Sequence, residues 1–389
     1  MSGCRPELPE SVAGAGADGD ALQPRATADG SLTLWSERFG EAFHSGLGAH
    51  AEAIGKFVLP AQLERFAAGT RLRVVDLCVG LGYNSAALLE AAEERGLRID
   101  WIGLELDPRP LALALKDPGF RGLWRPSTLT ALEQLHQQGD WRSPRGASRG
   151  ANAGERTGTS EVKDNGNENG SDGGRSWGSG GSWFLGDARA QLGPVLERWE
   201  GQCDLVLHDA FSPGHCPELW TVEFLGALAR LLKPDGRLLT YCAAAAVRQA
   251  LQLAGLELNS IVGPIGSGET GEANGSNGAA PGANGDPHRI WCAGTAASPS
   301  PFPTTDDGRD GDGGDSDCDA SHSSQERGAV LRPLSAMERD HLLSRAGEPY
   351  RDPDGNADAA TIRSRRAERQ RLHPGESTSA WRRRWGLAR

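Results

Sequence analysis

The stretch from residue 71 to 107, "RLRVVDLCVGLGYNSAALLEAAEERGLRIDWIGLELD", constrains the fold more than any other part of this chain. Its β-branched, apolar pair Val74 and Val75 predicts a buried parallel strand, and the glycines that follow predict a tight turn. The Ala- and Leu-rich run after the turn predicts a helix over 83–94, and a second short strand follows over 101–104. Strand, turn, helix and strand together form the repeating unit of an α/β protein.

The same alternation recurs further along the chain. "SWFLGDARAQLGPVLERW" predicts another strand and helix, "CDLVLHDAF" a further strand and "PELWTVEFLGALARLL" a further helix. A turn at 234–236 leads into the strand "RLLTYC", and "HRIWCAGT" predicts a returning edge strand. Strands that alternate with helices of ordinary length predict an α/β fold with a doubly wound, mostly parallel, Rossmann-like sheet.

Polar, glycine-rich segments without apolar periodicity interrupt this pattern, and their composition predicts disorder. They are a tail at 1–30, insertions at 144–181 and 267–287, and an acidic linker at 296–328. The remaining chain divides into one folded domain at 31–295, stretched by the two insertions, and a basic helical extension at 329–389.

Charge is distributed unevenly. The chain has a net charge of −11, yet the acidic segments 1–30, 151–175, 267–287 and 298–328 together carry −14 and leave +3 for the rest. A slightly basic folded part is compatible with a nucleic-acid partner. Seven cysteines without CxxC pairs or zinc-like spacing favour reduced thiols in the cytoplasm and no metal site. We also expect no membrane span and no secretory signal.

Four acidic residues each follow an apolar, strand-like run. They are Asp76, Glu105, Asp187 and Asp209. The carboxyl ends of parallel strands meet at one edge of an open α/β sheet, where ligands bind. The alternative for each acid is a helix N-cap.

The glycine turn indicates which ligand this edge binds. Gly80 and Gly82 would let the backbone approach a ligand at the start of the helix, where the N–H groups of Tyr83 and Asn84 could reach an anionic group. Ser85 breaks the dinucleotide fingerprint GxGxxG, and the chain contains no GxxxxGK[ST] phosphate loop. A ribosyl-adenine that carries a positive sulfonium, as in S-adenosylmethionine, therefore suits this acidic edge better than a dinucleotide or polyphosphate.

Within that interpretation, the acids divide the donor between them. Glu105 would accept the ribose hydroxyl groups, a role for which Asp107 competes, and Asp187 with Ala188 would meet the adenine amino group. Asp76 ends the first strand, beside the glycine turn.

The runs "DLCVGLGYN", "GLEL", "GDA" and "DAFSPGHCPELWTVEFLGALARLLKPDGRLLTY" resemble the methyltransferase half of MnmC, the bifunctional enzyme of wobble-uridine modification in tRNA. The resemblance is stronger to stand-alone versions that lack the FAD-dependent oxidase half. The hallmark Asp-small-Phe-small-Pro pattern and the following Pro-Glu-Leu-Trp run are intact, with Cys216 where the family usually has Asn. The fold implied is that of a class I S-adenosylmethionine-dependent methyltransferase.

The resemblance implies a reaction and its residues. The methyl group of S-adenosylmethionine would pass to the aminomethyl group of 5-aminomethyl-(2-thio)uridine at the tRNA wobble position, giving the 5-methylaminomethyl product. Asp209 would be catalytic, and Phe211, Pro213 and Trp220 would wall the target base. Arg289 would contact the substrate. It belongs to the family's glycine-rich GxGxKR turn, which an insertion splits here, and His288 stands where the family has Lys.

Other interpretations stay open. The chain could methylate another amine, on a small molecule or a protein, or it could bind tRNA without turnover. The helix-cap alternative for Asp209 is disfavoured because Pro213 intervenes and the next helix is predicted to start near residue 217.

The absence of a second GxGxxG predicts no oxidoreductase activity, so a separate oxidase or tRNA-modifying enzyme is a candidate supplier of the substrate. The arginines of 361–389, interleaved with Trp381 and Trp385, are either a solvated face or a tRNA contact.

Overall fold

A computed structural model describes residues 20–46, 48–143, 178–262, 292–302 and 330–387, and the structural statements below concern these ranges. No helix in the described part of the chain is both long and apolar enough to cross a membrane.

The strands are β1 (Leu22–Ala26), β2 (Leu32–Ser36), β3 (Glu41–Ala42), β4 (Arg71–Leu77), β5 (Arg98–Glu105), β6 (Asp140–Arg142), β7 (Gly180–Leu185), β8 (Cys203–His208), β9 (Leu232–Thr240), β10 (Glu257–Val262), β11 (Cys292–Ser298) and β12 (Val330–Pro333). The α-helices are α1 (Ala49–Glu52), α2 (Leu59–Ala61), α3 (Tyr83–Glu94), α4 (Arg109–Ala114), α5 (Pro118–Gly122), α6 (Pro126–Gln138), α7 (Ala188–Trp199), α8 (Val222–Leu231), α9 (Ala245–Leu253), α10 (Ala336–Leu342), α11 (Ala359–Leu372) and α12 (Thr378–Arg384). A π-helical segment, Ala53–Val58, joins α1 to α2, and 3-10 turns lie at Leu63–Arg65, Pro217–Trp220 and Arg345–Gly347.

The main sheet has nine strands in the order β12-β10-β11-β9-β8-β4-β5-β7-β6. Its centre, from β9 to β7, is parallel, whereas β11, β10, β12 and β6 pair antiparallel at the two sides. The chain winds from β4 towards β7 in one direction and from β8 towards β9 in the other. The predicted doubly wound, Rossmann-like fold is confirmed, and its switch point lies between β4 and β8.

Residues next to each other in β4 serve opposite faces of the sheet. Val74 packs into a core with α3, α6 and the N-terminal strands, whereas Val75 packs into a second core with α7, α8 and α9. A strand covered on both faces needs the continuous apolar run that this stretch has. The predicted helix over 83–94 coincides with α3.

The N-terminal strands form a separate three-stranded sheet in the order β1-β2-β3. β1 lies inside the predicted disordered tail, 1–30. The folded region therefore begins earlier in the sequence than the predicted start at residue 31. Its residue Leu22 is buried and pairs with Ser36 in an antiparallel register. The sequence of β1, "LQPRA", contains a proline and little apolar pattern, so its partner strand rather than its own sequence defines it.

Two other predicted boundaries also shift. β7 begins at Gly180, inside the predicted insertion 144–181, and β11 continues to Ser298, inside the predicted linker 296–328. Residues 1–19, 144–177, 263–291 and 303–329 lie outside the described ranges, and so do most of the predicted disordered segments.

The C-terminal extension contributes β12 to the sheet and then adds α10, α11 and α12. Ile362 of α11 is fully buried in the second core. Trp381 is also buried and stacks on His341, with ring centroids 3.9 Å apart. Packing therefore occupies one of the two tryptophans considered for tRNA contact.

Several arginines of the extension are bound within it. Arg369 pairs with Glu348, and Arg384 pairs with Asp340 and Glu376. These pairs reduce the charge that the extension offers to a nucleic acid.

Candidate active site

The ends of the central parallel strands are aligned by their pairing. Leu77 at the end of β4 lies opposite Leu104 of β5 and His208 of β8, and Glu105 lies opposite Leu185 of β7. The four predicted acids therefore meet at one edge of the sheet, as expected for a switch-point site.

The turn after β4 adopts a left-handed backbone at Cys78, Gly80 and Gly82, with φ values of 63°, 56° and 89°. Non-glycine residues rarely adopt this conformation. At Gly80 the space is also limited, because an added Cβ would lie 3.2 Å from the Phe43 ring. The turn leads into α3, whose first turn has no side-chain cap and so presents its N–H groups towards this edge.

Glu105 is 7 % exposed, and backbone N–H groups hold its carboxylate. Gly80 N donates to Oε2 at 2.8 Å, and Leu106 N and Asp107 N donate to Oε1 at 2.7 and 2.9 Å. Burial raises its pKa to about 7 against the effect of these hydrogen bonds. The competing acid, Asp107, is instead bound by Arg109 on both carboxylate oxygens.

Asp76 and Tyr83, both predicted to bind the donor, make internal contacts with their side chains. Ser85 Oγ donates to the buried carboxyl group of Asp76, whose pKa burial raises to about 6. The Tyr83 hydroxyl donates to Leu32 O of the N-terminal sheet at 3.1 Å, and its ring packs against Phe120. For Tyr83, only the backbone N–H remains for the predicted role.

Asp187 acts as the N-cap of α7 and also forms an ion pair. Its carboxylate accepts from Arg189 N at 2.9 Å, and Arg189 Nη2 lies 2.8 Å from Oδ2. Partial burial raises its pKa, but the hydrogen bonds from Arg189 outweigh that effect and hold it below its usual value. Ala188 follows as the first residue of α7 and is buried. The N-cap alternative is confirmed for Asp187, and its adenine contact stays a prediction.

Asp209 follows β8 and makes a contact that the sequence did not predict. Asn84 Nδ2, in the first turn of α3, donates to its Oδ2 at 2.7 Å. Burial raises the pKa of Asp209 to about 7, against the effect of the Asn84 hydrogen bond. Thr221, not Asp209, caps the following helix, α8. The helix-cap alternative for Asp209 is therefore excluded.

Phe211, in the loop 211–216 that follows Asp209, forms an aromatic group with Phe39 and Phe43. Phe211 stacks on Phe39 with ring centroids 4.4 Å apart and meets Phe43 edge-on at 4.9 Å. The loop backbone is attached to the N-terminal region, where Glu41 Oε2 accepts from Ser212 N at 2.9 Å. Phe211 and Pro213 are partly exposed, as a wall for a base would require.

Trp220, in contrast, is fully buried. Its Nε1 donates to Phe211 O at 2.8 Å, and its ring packs against His208 with centroids 4.1 Å apart. The prediction that Trp220 walls the target base is wrong for this structure, because the indole lies beneath the loop. It anchors the loop from below.

Sequence reasoning also missed an ion pair near Asp209. Lys56, in the π-helical segment, lies 3.2 Å from Glu52, and both side chains are only 14 % exposed. The Lys56 ammonium lies 5.7 Å from the ring centre of Tyr241, whose hydroxyl donates to Ala210 O next to Asp209. The charges of both members act on the pKa of Asp209, Glu52 raising it and Lys56 lowering it.

Two remaining predictions concern Arg289 and metal binding. Arg289 lies outside the described residues, so its substrate contact stays a prediction. Within the described ranges, no group of three or more His, Cys, Asp or Glu side chains is placed to hold a metal ion.

The chain is similar to a known family and to several known proteins. A family described as S-adenosyl-L-methionine-dependent methyltransferase matches residues 183–266, which include Asp187 and Asp209. The bifunctional tRNA 5-methylaminomethyl-2-thiouridine biosynthesis protein MnmC of Acidovorax sp. (strain JS42) is 27% identical over 235 residues, 59% of this chain and 32% of that protein. An uncharacterized protein of Methanocaldococcus jannaschii is 26% identical over 230 residues, 58% of this chain and 51% of that protein. The chain thus spans about a third of the length of one of these relatives and about half of the length of the other.

A solved structure shows the same fold. The crystal structure of MNMC2 from Aquifex aeolicus matches with a TM-score of 0.59 and 23% sequence identity, covering 92% of this chain and 87% of that one. The family match confirms S-adenosylmethionine as the predicted donor.

The residues at the sheet edge fit that donor. The uncapped first turn of α3 offers N–H groups to a carboxylate, Glu105 offers a buried carboxyl group, and the surrounding acids suit a positive sulfonium. The composition of this edge, here called the donor edge or donor side, therefore suits the donor. The rings of Phe39, Phe43 and Phe211, the last of which lies in the loop after Asp209, form an aromatic wall, here called the acceptor side.

Proposed function

Because the chain contains an MnmC-like methyltransferase domain that uses S-adenosylmethionine, we propose that it methylates the aminomethyl group of 5-aminomethyl-(2-thio)uridine at the tRNA wobble position. The product is 5-methylaminomethyl-(2-thio)uridine. The observation that carries the proposal is the position of Asp209: a carboxyl group of raised pKa that Asn84 holds from the first turn of α3, two residues before Phe211 of the aromatic wall.

Asp209 supplies the proton chemistry that such a reaction needs. The donor provides an electrophilic methyl group on a positively charged sulfur. An aliphatic amine is mostly protonated near neutral pH, and only its neutral form has a lone pair with which to attack. The Asp209 carboxylate accepts the proton of the substrate ammonium, and Asn84 fixes the direction in which its oxygens point. A pKa of about 7 suits a group that exchanges protons near neutral pH.

Positive charge in the site favours the ionised form of Asp209. Both the sulfonium and the incoming ammonium are opposite in charge to a carboxylate, and opposite charges lower the pKa of an acid. The raised pKa of the donor-free site would fall on substrate binding, so that Asp209 becomes a base when the amine is present.

The aromatic wall supports a pyrimidine substrate. Phe39 and Phe211 already stack on each other, and partly exposed aromatic rings provide faces on which a splayed base can stack. Stacking of this kind contributes about 1–3 kcal/mol per base. Trp220 stabilises the wall from below, because its indole N–H donates a hydrogen bond to the Phe211 carbonyl.

Two alternatives lead to different outcomes in the test. A methyltransferase for another amine would act on small or protein-bound amines, and its substrate affinity would depend weakly on salt. A tRNA-binding protein without turnover would bind tRNA with an affinity that falls steeply as the salt concentration rises, but it would transfer no methyl group. The raised pKa of Asp209 favours turnover over binding alone.

The test is a methylation assay with the purified chain. S-adenosylmethionine labelled in its methyl group is supplied with three acceptors: tRNA carrying aminomethyl-uridine, the same tRNA without it, and a simple alkylamine. We expect label only in the first tRNA, and nucleoside mass spectrometry should place one methyl group on the wobble uridine. Label in the alkylamine alone, or in none of the acceptors, would contradict the proposal.

A cellular setting follows from the same proposal. A separate oxidase or other tRNA-modifying enzyme would supply the aminomethyl group, and the chain itself would perform no redox step. We place the reaction in the cytoplasm, where cysteines such as Cys78 and Cys203, both free thiols in this structure, stay reduced.

A further inference from the structure

The C-terminal extension contacts the catalytic domain directly beside the site. Val222 N, at the start of α8, donates to Tyr350 O at 3.1 Å. Glu223 accepts from Arg351 Nε at 2.6 Å and from Asp352 N at 2.9 Å. The extension is therefore bound to α8, the helix that follows the loop 211–216, here called the acceptor loop.

A second contact links the extension to the donor edge. Arg189, next to Asp187 on α7, places Nη1 3.3 Å from Asp352 Oδ2 and 2.8 Å from Ala357 O. Its other arm, Nη2 and Nε, binds Asp187. One guanidinium group thus bridges an acid of the donor edge and an acid of the extension.

Burial differs along this bridge. The side chain of Asp352 is 1% exposed, that of Arg189 is 20% exposed and that of Asp187 is 48% exposed. Asp352 is further held by Ala357 N, and Arg365 lies 3.9 Å from its Oδ1. The fixed end of the bridge is therefore in the extension, and the end that faces the site is Asp187.

We propose that Asp352 and Arg189 are positioning residues, through which the docked C-terminal extension sets the orientation of Asp187 for donor binding. A planar guanidinium that binds two carboxylates has little freedom to rotate, so fixing one carboxylate fixes the other. Without Asp352, Arg189 keeps its bond to Asp187 but loses the contact that holds its plane. The orientation of Asp187 then becomes variable, and donor affinity falls.

This inference rests on the proposed donor contact of Asp187, but not on the identity of the acceptor. Its readout is the Kd of S-adenosylmethionine and of S-adenosylhomocysteine, measured by calorimetry without tRNA. Failure of the tRNA methylation assay would refute the proposed substrate and leave this measurement unaffected.

The decisive experiment is a double-mutant cycle in the full chain. Asp352→Asn should weaken donor binding roughly threefold to tenfold, since members of one ion-pair network couple by such factors. In Asp187→Asn the orientation of a carboxylate no longer matters, so adding Asp352→Asn should weaken binding little further. Additive effects of the two substitutions on Kd would overturn the proposal.

A matched control separates positioning from general destabilisation. Glu348→Gln breaks an ion pair with Arg369 inside the same extension, and the contacts recorded for Glu348 among the described residues do not reach the donor edge. We expect it to lower the Tm while leaving donor Kd within about twofold, the scatter expected of independent sites. Equal donor affinity in Glu348→Gln and Asp352→Asn would also overturn the proposal.

Arg189→Lys provides a second route if Asp352→Asn fails to fold. Lysine keeps the positive charge but has no planar fork with which to bind two carboxylates. It should weaken donor binding to a similar extent at a near wild-type Tm. Unchanged donor affinity in Arg189→Lys would show that the bridge does not position Asp187.

Discussion

Two carboxyl groups at the same sheet edge, Glu105 and Asp209, have similar pKa values and different surroundings. Burial raises both pKa values to about 7. Three backbone N–H groups hold Glu105, whereas one side-chain amide, from Asn84, holds Asp209. A group held by rigid backbone on both oxygens is suited to fixed recognition. A group held on one oxygen keeps capacity to accept a proton.

The difference shows why the position of an acid at a strand end does not by itself define its role. The backbone N–H groups that hold Glu105 come from Gly80 and from the two residues after Glu105. The side chains that act on Asp209 come from Asn84, Glu52 and Lys56, which are distant in sequence. The donor side is thus built locally, and the acceptor side is built by long-range contacts. Substitutions on the two sides should affect different steps.

Asp209→Asn should have the largest effect on turnover. The amide keeps nearly the shape of the carboxyl group but cannot take up a proton, and general-base contributions are about 10²–10⁴-fold. We expect kcat to fall by a factor in that range while the donor Kd stays near the wild-type value. Steady-state kinetics and calorimetry on the same preparation provide the measurement.

The pH dependence sharpens this prediction. At higher pH more of the substrate amine is already neutral, so the Asn variant should recover part of its rate between about pH 7 and pH 9. A variant that binds the donor normally and methylates at a near wild-type rate would reduce Asp209 to a structural residue.

Glu105→Gln should show the opposite split. Hydrogen bonds to a charged group contribute about 1.5–3 kcal/mol, so we expect donor Kd to rise roughly 10- to 100-fold. The kcat at saturating donor should change much less, because Glu105 is not placed to receive the amine's proton. If kcat fell as far as in Asp209→Asn with an unchanged Kd, the assignment of the two acids would be reversed.

The acceptor loop offers a matched pair of aromatic substitutions. Phe211→Leu should raise the acceptor KM by about tenfold through lost stacking and change the Tm little. Trp220→Leu should lower the free energy of unfolding by about 2–5 kcal/mol, because a fully buried indole leaves a cavity and an unpaired Phe211 carbonyl. Equal effects of both substitutions on acceptor KM at an unchanged Tm would return Trp220 to the base-binding surface.

The raised pKa values also predict how stability changes with pH. Since Glu105 and Asp209 titrate near 7 in the fold and near 4 in the unfolded chain, the native state binds more protons between those values. The free energy of unfolding of the donor-free protein therefore falls as pH rises from about 4 to about 7, and this contribution is constant above. Asp76, whose pKa burial raises to about 6, contributes in the same direction, and Asp209→Asn removes only the contribution of Asp209. The Tm of the variant relative to that of wild type should therefore rise between about pH 4 and pH 7, by an amount equivalent to about 1–4 kcal/mol.

Thermal unfolding at pH 5 and pH 8 checks this prediction. All other groups titrate alike in both proteins, so only the difference between them matters. The same difference in Tm between variant and wild type at pH 5 and at pH 8 would show that Asp209 is not protonated in the folded, donor-free state.

The donor side of the site could largely be predicted from the sequence, because local patterns define it. Apolar β-branched runs, the glycine turn and the helix over 83–94 are encoded by residues next to each other in sequence, and parallel pairing then aligns the strand ends. The structure confirms this fold and brings the four acids together. The N-terminal strand β1 escaped prediction because its stability depends on β2 and on the burial of Leu22.

The acceptor side could not be predicted to the same extent. The bond between Asn84 and Asp209 and the stack of Phe39 on Phe211 join residues far apart in sequence, and no periodicity encodes such contacts. The family resemblance implied that Trp220 would wall the target base, and only the three-dimensional packing shows it beneath the loop. The bridge from Asp187 through Arg189 to Asp352 likewise depends on how the extension docks.

The smallest effect is expected from replacing the segment 144–177, which lies in the sequence between β6 and β7. Ser143 N donates to Ser179 O at 2.9 Å and Gly178 N donates to Ser143 O at 3.2 Å, so the two ends of the segment are already adjacent. A short glycine-containing turn of about four residues could close the same hairpin. The replacement should leave donor Kd and kcat within about twofold and, through loop-closure entropy, stabilise the fold by about 1–2 kcal/mol at most. Calorimetry and thermal unfolding of the shortened chain test this. A large loss of donor affinity would mean that the segment takes part in the donor side, which would then no longer be the locally built half of the site.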